Sequence, residues 1–187
     1  MKYARKINID FDINVEDILA RTRIIIQHGQ SESATKLIRR FVPKKFREKI
    51  YSKLPTKITA CIQGIHLTES RPLEPHIHTT DHAVLNIYYR THNEITAFWA
   101  GDIEHKDITA VDDFYSLVDI DKLMQVESFI AKSGDVWLLN TRQPHSVSMS
   151  DVDKNRMLLQ IFFNRPFDEV VNYFYDTNSN SPQATAP

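Results

Sequence analysis

The stretch EPHIHTTDHAVLNIYY, residues 74–89, changes character halfway along. Its first half gathers His76, His78, Asp81 and His82 in a chain that has only eight histidines, and its second half is the aliphatic and aromatic run of a buried strand. On an extended strand, side chains two positions apart leave the backbone on the same face, so His76 and His78 are placed to share one metal ion. A third ligand then has to come from a distant part of the chain.

Outward from this stretch the sequence reads as a β domain. After Pro55 come KITACIQGIHL, AVLNIYY, EITAFWAG, QVESFIAK, DVWLLN, HSVSMS and RMLLQIFF, all rich in β-branched and aromatic residues and separated by turn formers. THN (91–93), KSGD (132–135) and DVDKN (151–155) read as hairpin connections, and strands at this spacing predict a sandwich or a barrel. Residues 102–124, acidic and without clear periodicity, read as a long insertion of the kind that carries binding loops. PHSV (144–147) puts His145 at the start of a strand, and Arg156, eleven residues on, opens the next. A hairpin between them would set the two strands side by side and let the guanidinium reach the histidine cavity.

Before Pro55 the pattern is helical. Val15, Ile18, Leu19, Ile25 and Ile26 predict an amphipathic helix over 14–28, with Asn14 or Asp17 as N-cap and Gly29 as stop. Ser31 would cap a second helix carrying Ala34, Leu37, Ile38 and Phe41. Pro43 ends it, and Phe46, Ile50 and Leu54 predict a third, short one. The chain thus divides into one domain over 1–175, with a helical part over 1–55 packed on a β core over 56–165, and a polar, disordered tail over 176–187.

Composition is that of an ordinary globule, 42% hydrophobic and 25% charged among 187 residues, and no apolar run approaches the roughly 20 residues of a membrane span. The N-terminus lacks the apolar stretch and cleavage site of a secretory signal, and the lone Cys61 has no partner for a disulfide, so a cytoplasmic location is expected. Four glycines in the whole chain exclude a dinucleotide-binding fingerprint. The net charge of −1 hides an asymmetry: residues 35–53 hold eight basic residues and one acid, either a solvated face or a contact for nucleic acid or an acidic partner.

HIHTTDHAVLNIYY followed by ITAFW, then GDVWLLNTRQPHSV and RMLLQIFF, resembles the core of the iron(II)/2-oxoglutarate-dependent oxygenases, including small phage and marine-microbial hydroxylase-like members. The resemblance spans residues 58–165. That family's pattern is His-x-Asp/Glu, a distant His, and an Arg a short distance beyond it. On this matching His76 and His145 are metal ligands and Arg156 binds the far carboxylate of 2-oxoglutarate. Where the family has its carboxylate, this chain has His78.

The resemblance implies a double-stranded β-helix, a jelly-roll or cupin-like barrel mainly of β structure with N-terminal helices. It implies Fe(II) on His76, His78 and His145, 2-oxoglutarate and dioxygen as co-reactants, and hydroxylation of a small molecule or peptide. If Arg156 points inward, Leu158, Gln160 and Phe162 share its face; Asn86 and Tyr88 share a face on their own strand and could hydrogen-bond the bound acid. Asp81 is the alternative carboxylate ligand, provided the chain turns at Thr79-Thr80. Two other readings stand beside this one: a cupin-type three-histidine dioxygenase or isomerase, in which His82 occupies the usual glutamate position, and a non-catalytic β-barrel binding or structural protein.

Overall fold

The computed structural model describes residues 1–14, 17, 24–28, 37–40, 42–54, 60–68, 73–80, 82–103, 115–148 and 156–179. Among these described residues twelve strands form two antiparallel sheets. They are β1 (Ala4–Lys6), β2 (Ile24–His28), β3 (Leu37–Arg40), β4 (Ala60–Thr68), β5 (Leu73–His78), β6 (Ala83–Arg90), β7 (Ile95–Gly101), β8 (Tyr115–Leu117), β9 (Leu123–Ile130), β10 (Val136–Asn140), β11 (His145–Ser148) and β12 (Arg156–Phe163). Helix α1 covers Lys44–Lys53 and α2 covers Phe167–Ser179.

The larger sheet has the order β1-β10-β6-β12-β4-β3-β2 and the smaller β8-β5-β11-β7-β9. From β4 to β7 the chain changes sheet at every connection, and it does so again from β9 to β12. Strands adjacent in sequence therefore face each other across the interior instead of pairing, which makes the fold a jelly-roll barrel, the double-stranded β-helix. The links 91–93 and 132–135 are accordingly not hairpins, and 151–155, which lies outside the described residues, falls between β11 of the smaller sheet and β12 of the larger. Each carries the chain from one sheet to the other, a distinction that loop length and turn residues do not encode. Two of them turn at positive φ, Asn93 (63°) and Gly134 (91°), a region those residue types tolerate best.

Strands β6, β10 and β12 of the larger sheet are buried on both faces, which is why AVLNIYY, VWLLN and RMLLQIFF are almost continuously apolar. On its outer face Leu85, Ile87, Leu138, Leu159, Ile161 and Phe163 pack against Ile7 and Phe11 of the N-terminal segment, Ile50 of α1, and Phe167, Val170 and Phe174 of α2. Its inner face contributes Tyr88, Trp137, Leu139 and Leu158, which meet Phe98 and Phe129 of the smaller sheet. β12 keeps its alternation along its whole length, because the extra residues at its two register shifts fall on its neighbours, Gln63 of β4 and Tyr89 of β6.

Three local expectations are corrected. The helices predicted over 14–28 and 31–41 do not extend over Ile24–His28 and Leu37–Arg40, which pair as β2 and β3, with β3 pairing β4; Asp17 is helical, and most of the rest of both spans lies outside the described residues. The run Ile24-Ile25-Ile26 has the β-branching that favours a strand once an edge of the larger sheet is available to extend. The stretch 102–124 is not wholly irregular, since Tyr115–Leu117 adds to the edge of the smaller sheet beside β5, and β9 begins at Leu123. Helix α2 runs through 176–179, which the tail reading had as disordered; residues 180–187 lie outside the described ones. The third predicted helix is present as α1, where Lys49 pairs with Asp12 and Lys44 with Glu48 on the surface of the basic stretch. Among the described residues no helix is long and apolar enough to cross a membrane.

Candidate metal centre

Two strands and one backbone register assemble the histidines. β5 and β11 are neighbours in the smaller sheet with His76 directly opposite His145, and the two-residue spacing then brings His78 to the same face. The ring centroids lie 4.2 Å apart for His76 and His145, 5.2 Å for His78 and His145, and 5.5 Å for His76 and His78. One nitrogen from each ring falls within 4.8 Å of the others, close enough for one ion to be held by all three. The sequence-predicted trio is thus brought together. Asp81 lies outside the described residues.

Backbone carbonyls orient two of the rings. His76 Nδ1–H donates to the Glu74 carbonyl at 2.8 Å and His145 Nδ1–H to the Gln143 carbonyl at 2.9 Å, in each case two residues back along the chain. These bonds fix the tautomer and leave the Nε2 lone pairs of both rings for a ligand. His78 is held by its backbone N–H, which donates to Thr141 O at 2.9 Å and ties the end of β5 to the turn before β11.

All three imidazoles are kept neutral. Burial lowers His76 to about 4, and burial, then His76 and Arg142, lower His78 to about 3. His145 lies well below the ordinary histidine value through burial first, then His76 and His78, with Arg156 adding to the effect. Neutral imidazole is the form that binds a metal.

Across the interior stands the inner face of the larger sheet. Arg156 is buried, its guanidinium carbon 5.7 Å from the centre of the Tyr88 ring, and its Nε–H has no hydrogen-bond partner. Among the described residues no carboxylate pairs with it. A buried, unpaired guanidinium is costly unless something else supplies the negative charge. Arg156 reaches the cavity from the sheet opposite His145, not from a neighbouring hairpin strand, because β11 and β12 belong to different sheets.

Asn86 and Tyr88 lie on that same inner face and are buried. Gln160 Nε2–H donates to Asn86 Oδ1 at 3.0 Å, and Asn86 Nδ2–H donates to Tyr88 Oη at 3.3 Å. With its oxygen accepting, the Tyr88 hydroxyl proton is free to be donated elsewhere. Tyr88 is held in turn by its backbone, which bonds to Gly134 N at 2.7 Å and Asp135 O at 2.9 Å of the KSGD link. Phe162 stacks 6.1 Å from His78 and Phe98 lies 5.9 Å from His145, closing the metal side with carbon.

Sequence reasoning placed Gln160 on the face of Arg156 but gave it no role, and it passed over Arg142 altogether. Arg142 sits on the turn between β10 and β11, where its guanidinium donates to His78 O at 3.3 Å and to His82 Nε2 at 3.4 Å. Its position three residues before His145, in NTRQPH, was the available signal.

Fold and site together define a jelly-roll barrel with a three-histidine cluster on one inner wall and a buried arginine on the other. No known family matches the sequence, and no curated protein sequence is detectably similar to it. Among solved structures the chain is similar to an oxidoreductase of the 2OG-Fe(II) oxygenase family from Burkholderia pseudomallei, at 9% identity and TM-score 0.43, over 80% of this chain and 76% of that one. It is similar to E. coli ycfD at 13% identity and TM-score 0.46, over 100% of this chain and 58% of that one. Lactobacillus farciminis oxalate decarboxylase is similar at 14% identity and TM-score 0.36, over 84% of this chain and 42% of that one. Likeness at these levels carries nothing about the site, whose reading rests on its own residues.

Proposed function

We propose that this protein is a non-haem iron(II)/2-oxoglutarate-dependent dioxygenase that hydroxylates a small-molecule or peptide substrate. The observation that carries the reading is the buried Arg156, with an unpartnered Nε–H and no described carboxylate beside it, on the wall facing three neutral histidines. A fixed guanidinium in that position suits capture of a carboxylate whose other end reaches the metal. His76, His78 and His145 would hold the iron, leaving positions open for the oxoacid and dioxygen.

Iron(II), when bound, supplies the oxidation in which one atom of dioxygen enters the substrate and the other enters the oxoacid, which leaves as succinate and carbon dioxide. The chain's own contribution is position and dryness. Glu74 O and Gln143 O aim two imidazoles. Arg156 and the Tyr88 hydroxyl bind the far carboxylate, and Asn86 and Gln160 fix the direction in which that hydroxyl donates. Phe98, Leu158 and Phe162 keep water from the reacting side.

A cupin-type three-histidine dioxygenase or isomerase is the second reading, favoured by the all-neutral ligand set; it has no use for Arg156. The decisive experiment is anaerobic titration of the Fe(II)-loaded protein with 2-oxoglutarate, followed by the visible charge-transfer band of the chelate. The band appears and saturates in the wild type, and Arg156→Gln shifts its saturation to much higher concentration. Iron without a band contradicts the oxygenase and leaves the cupin reading. No iron bound after reconstitution leaves a binding or structural barrel.

A further inference from the structure

Between the two sheets runs a seam that no backbone ladder closes. Among the described residues β1 pairs only β10 and β9 pairs only β7, so an edge of the larger sheet meets an edge of the smaller without strand pairing across it. Side chains bridge the gap instead. The Glu127 carboxylate of β9 accepts the backbone N–H of Lys2, of Tyr3 at 3.3 Å and of Ala4 at 3.1 Å, standing in for the carbonyls of a neighbouring strand.

This seam covers the metal side of the barrel. The Tyr3 ring stacks on Phe98 at 5.9 Å, and Phe98, itself fully buried, lies 5.9 Å from the His145 ring. Ala4 is buried in the same inner cluster, with Phe98, Phe129 and Trp137. The strand that supplies this cover is slight. β1 sets Ala4, Arg5 and Lys6 opposite Leu139, Leu138 and Trp137. Around that short ladder Asn140 N–H donates to Tyr3 O at 2.8 Å and Ile7 N–H to Val136 O at 2.9 Å. Lys6 also pairs with Asp135 at 2.6 Å, but its side chain is exposed and such a pair adds little. A short edge strand opens at a lower free energy than the sheet behind it, and a carboxylate gathering consecutive N–H groups is the strongest single tie this one has.

We propose that the seam between β1 and β9 is the gate of the metal chamber. Lys2–Lys6 opens as a unit while both sheets stay folded, Glu127 is the latch that sets how often this happens, and the Tyr3 ring is the seal over Phe98 and His145. Opening bares Phe98 and gives a metal ion or a small molecule a way to His145 from the side. The inference rests on the metal reading above only for what lies behind the gate.

The test compares the wild type with Glu127→Gln, which keeps the length of the side chain but turns an amide NH2 toward the strand's own N–H groups. Hydrogen exchange is followed at the Ile7 and Asn140 amides, whose bonds do not involve Glu127, and at Leu159 and Ile161 of β12. The substitution speeds exchange at Ile7 and Asn140 about tenfold or more and leaves the β12 amides within about twofold. Trp137 stands opposite Lys6, so its quenching by acrylamide, read in a Trp99→Phe background, reports the open strand and increases in step. Release of bound Co(II) to a chelator quickens as well, and Tyr3→Ala, with the latch in place, raises both quenching and release. Unchanged exchange at Ile7 and Asn140 overturns the proposal, as does exchange that rises equally on β12, which would mean that the barrel opens only as a whole. Faster exchange with Trp137 quenching or Co(II) release unchanged overturns it too. A protein that binds no Co(II) removes the metal reading alone, because exchange and quenching in the metal-free chain still decide whether the seam opens.

Discussion

On β12, Met157, Leu159, Ile161 and Phe163 look out toward the helices and are wholly apolar, whereas Arg156, Leu158, Gln160 and Phe162 look into the barrel and set a charge and an amide among the carbons. The same alternation runs through β6, with Ala83, Leu85 and Ile87 outward and Asn86 and Tyr88 inward. The outer face is apolar apart from Tyr89, which packs against it with a buried hydroxyl that has no hydrogen-bond partner. The other keeps a guanidinium whose Nε–H finds no acceptor in the protein. Packing on the outer face holds these strands while their inner face carries a charge and amides, and a buried cation left unpaired by the protein favours an anion from outside.

The comparison breaks most severely on the outer face. Phe163, fully buried and edge-on to Phe174 at 6.3 Å, is expected to cost about 3–5 kcal/mol when truncated to Ala, read from urea unfolding, with iron stoichiometry in the folded fraction unchanged. Acid comes next, and it attacks the inner face. Because burial holds His76 near 4 against 6.5 in the unfolded chain, the unfolded state takes up the proton first; stability is full above pH 6.5 and falls as pH drops toward 4. For His76 alone the loss by pH 4 is on the order of 3 kcal/mol, and His78 adds in the same direction. Unfolding midpoints of the metal-free protein measured down this range should show the slope, and His76→Leu should flatten it.

Arg156→Met sharpens the contrast from the other side. Replacing an unpaired buried cation by an apolar chain should stabilise the ligand-free protein by about 1–2 kcal/mol while weakening 2-oxoglutarate binding by about a hundredfold. Stability that falls instead would mean that Arg156 is already paired. The smallest effect is expected at Gln160→Leu, which releases Asn86 and with it the direction of the Tyr88 hydroxyl; binding of the oxoacid should weaken about fivefold with little change in stability.

These two faces also explain what was legible beforehand. Strands β6, β10 and β12 stand out in the sequence because both their faces are buried, and His76, His78 and His145 stand out because histidines are few in this chain and two of them fall at strand parity. What stayed hidden depended on partners. Ile24–His28 and Leu37–Arg40 have spacings compatible with a helix and become strands because β3 adds to β4 and β2 adds to β3. The links at 91–93, 132–135 and 151–155 have the composition of hairpins, and only the closed barrel decides that they cross between sheets. Helix α2 carried readable signals, Pro166 ahead of it, Asp168 and Glu169 in its first turn and Phe167, Val170 and Phe174 at helical spacing. Arg142, on a turn with no periodicity to betray what it faces, offered only its nearness to His145 in NTRQPH.

The central claim is that three imidazoles, and no carboxylate, hold the metal. X-ray absorption of the anaerobic Fe(II)-loaded protein counts them directly. The account predicts outer-shell scattering from three imidazole rings, with nitrogen neighbours at about 2.1 Å. A fit requiring two rings or fewer, or a protein carboxylate in the place of His78, would contradict it.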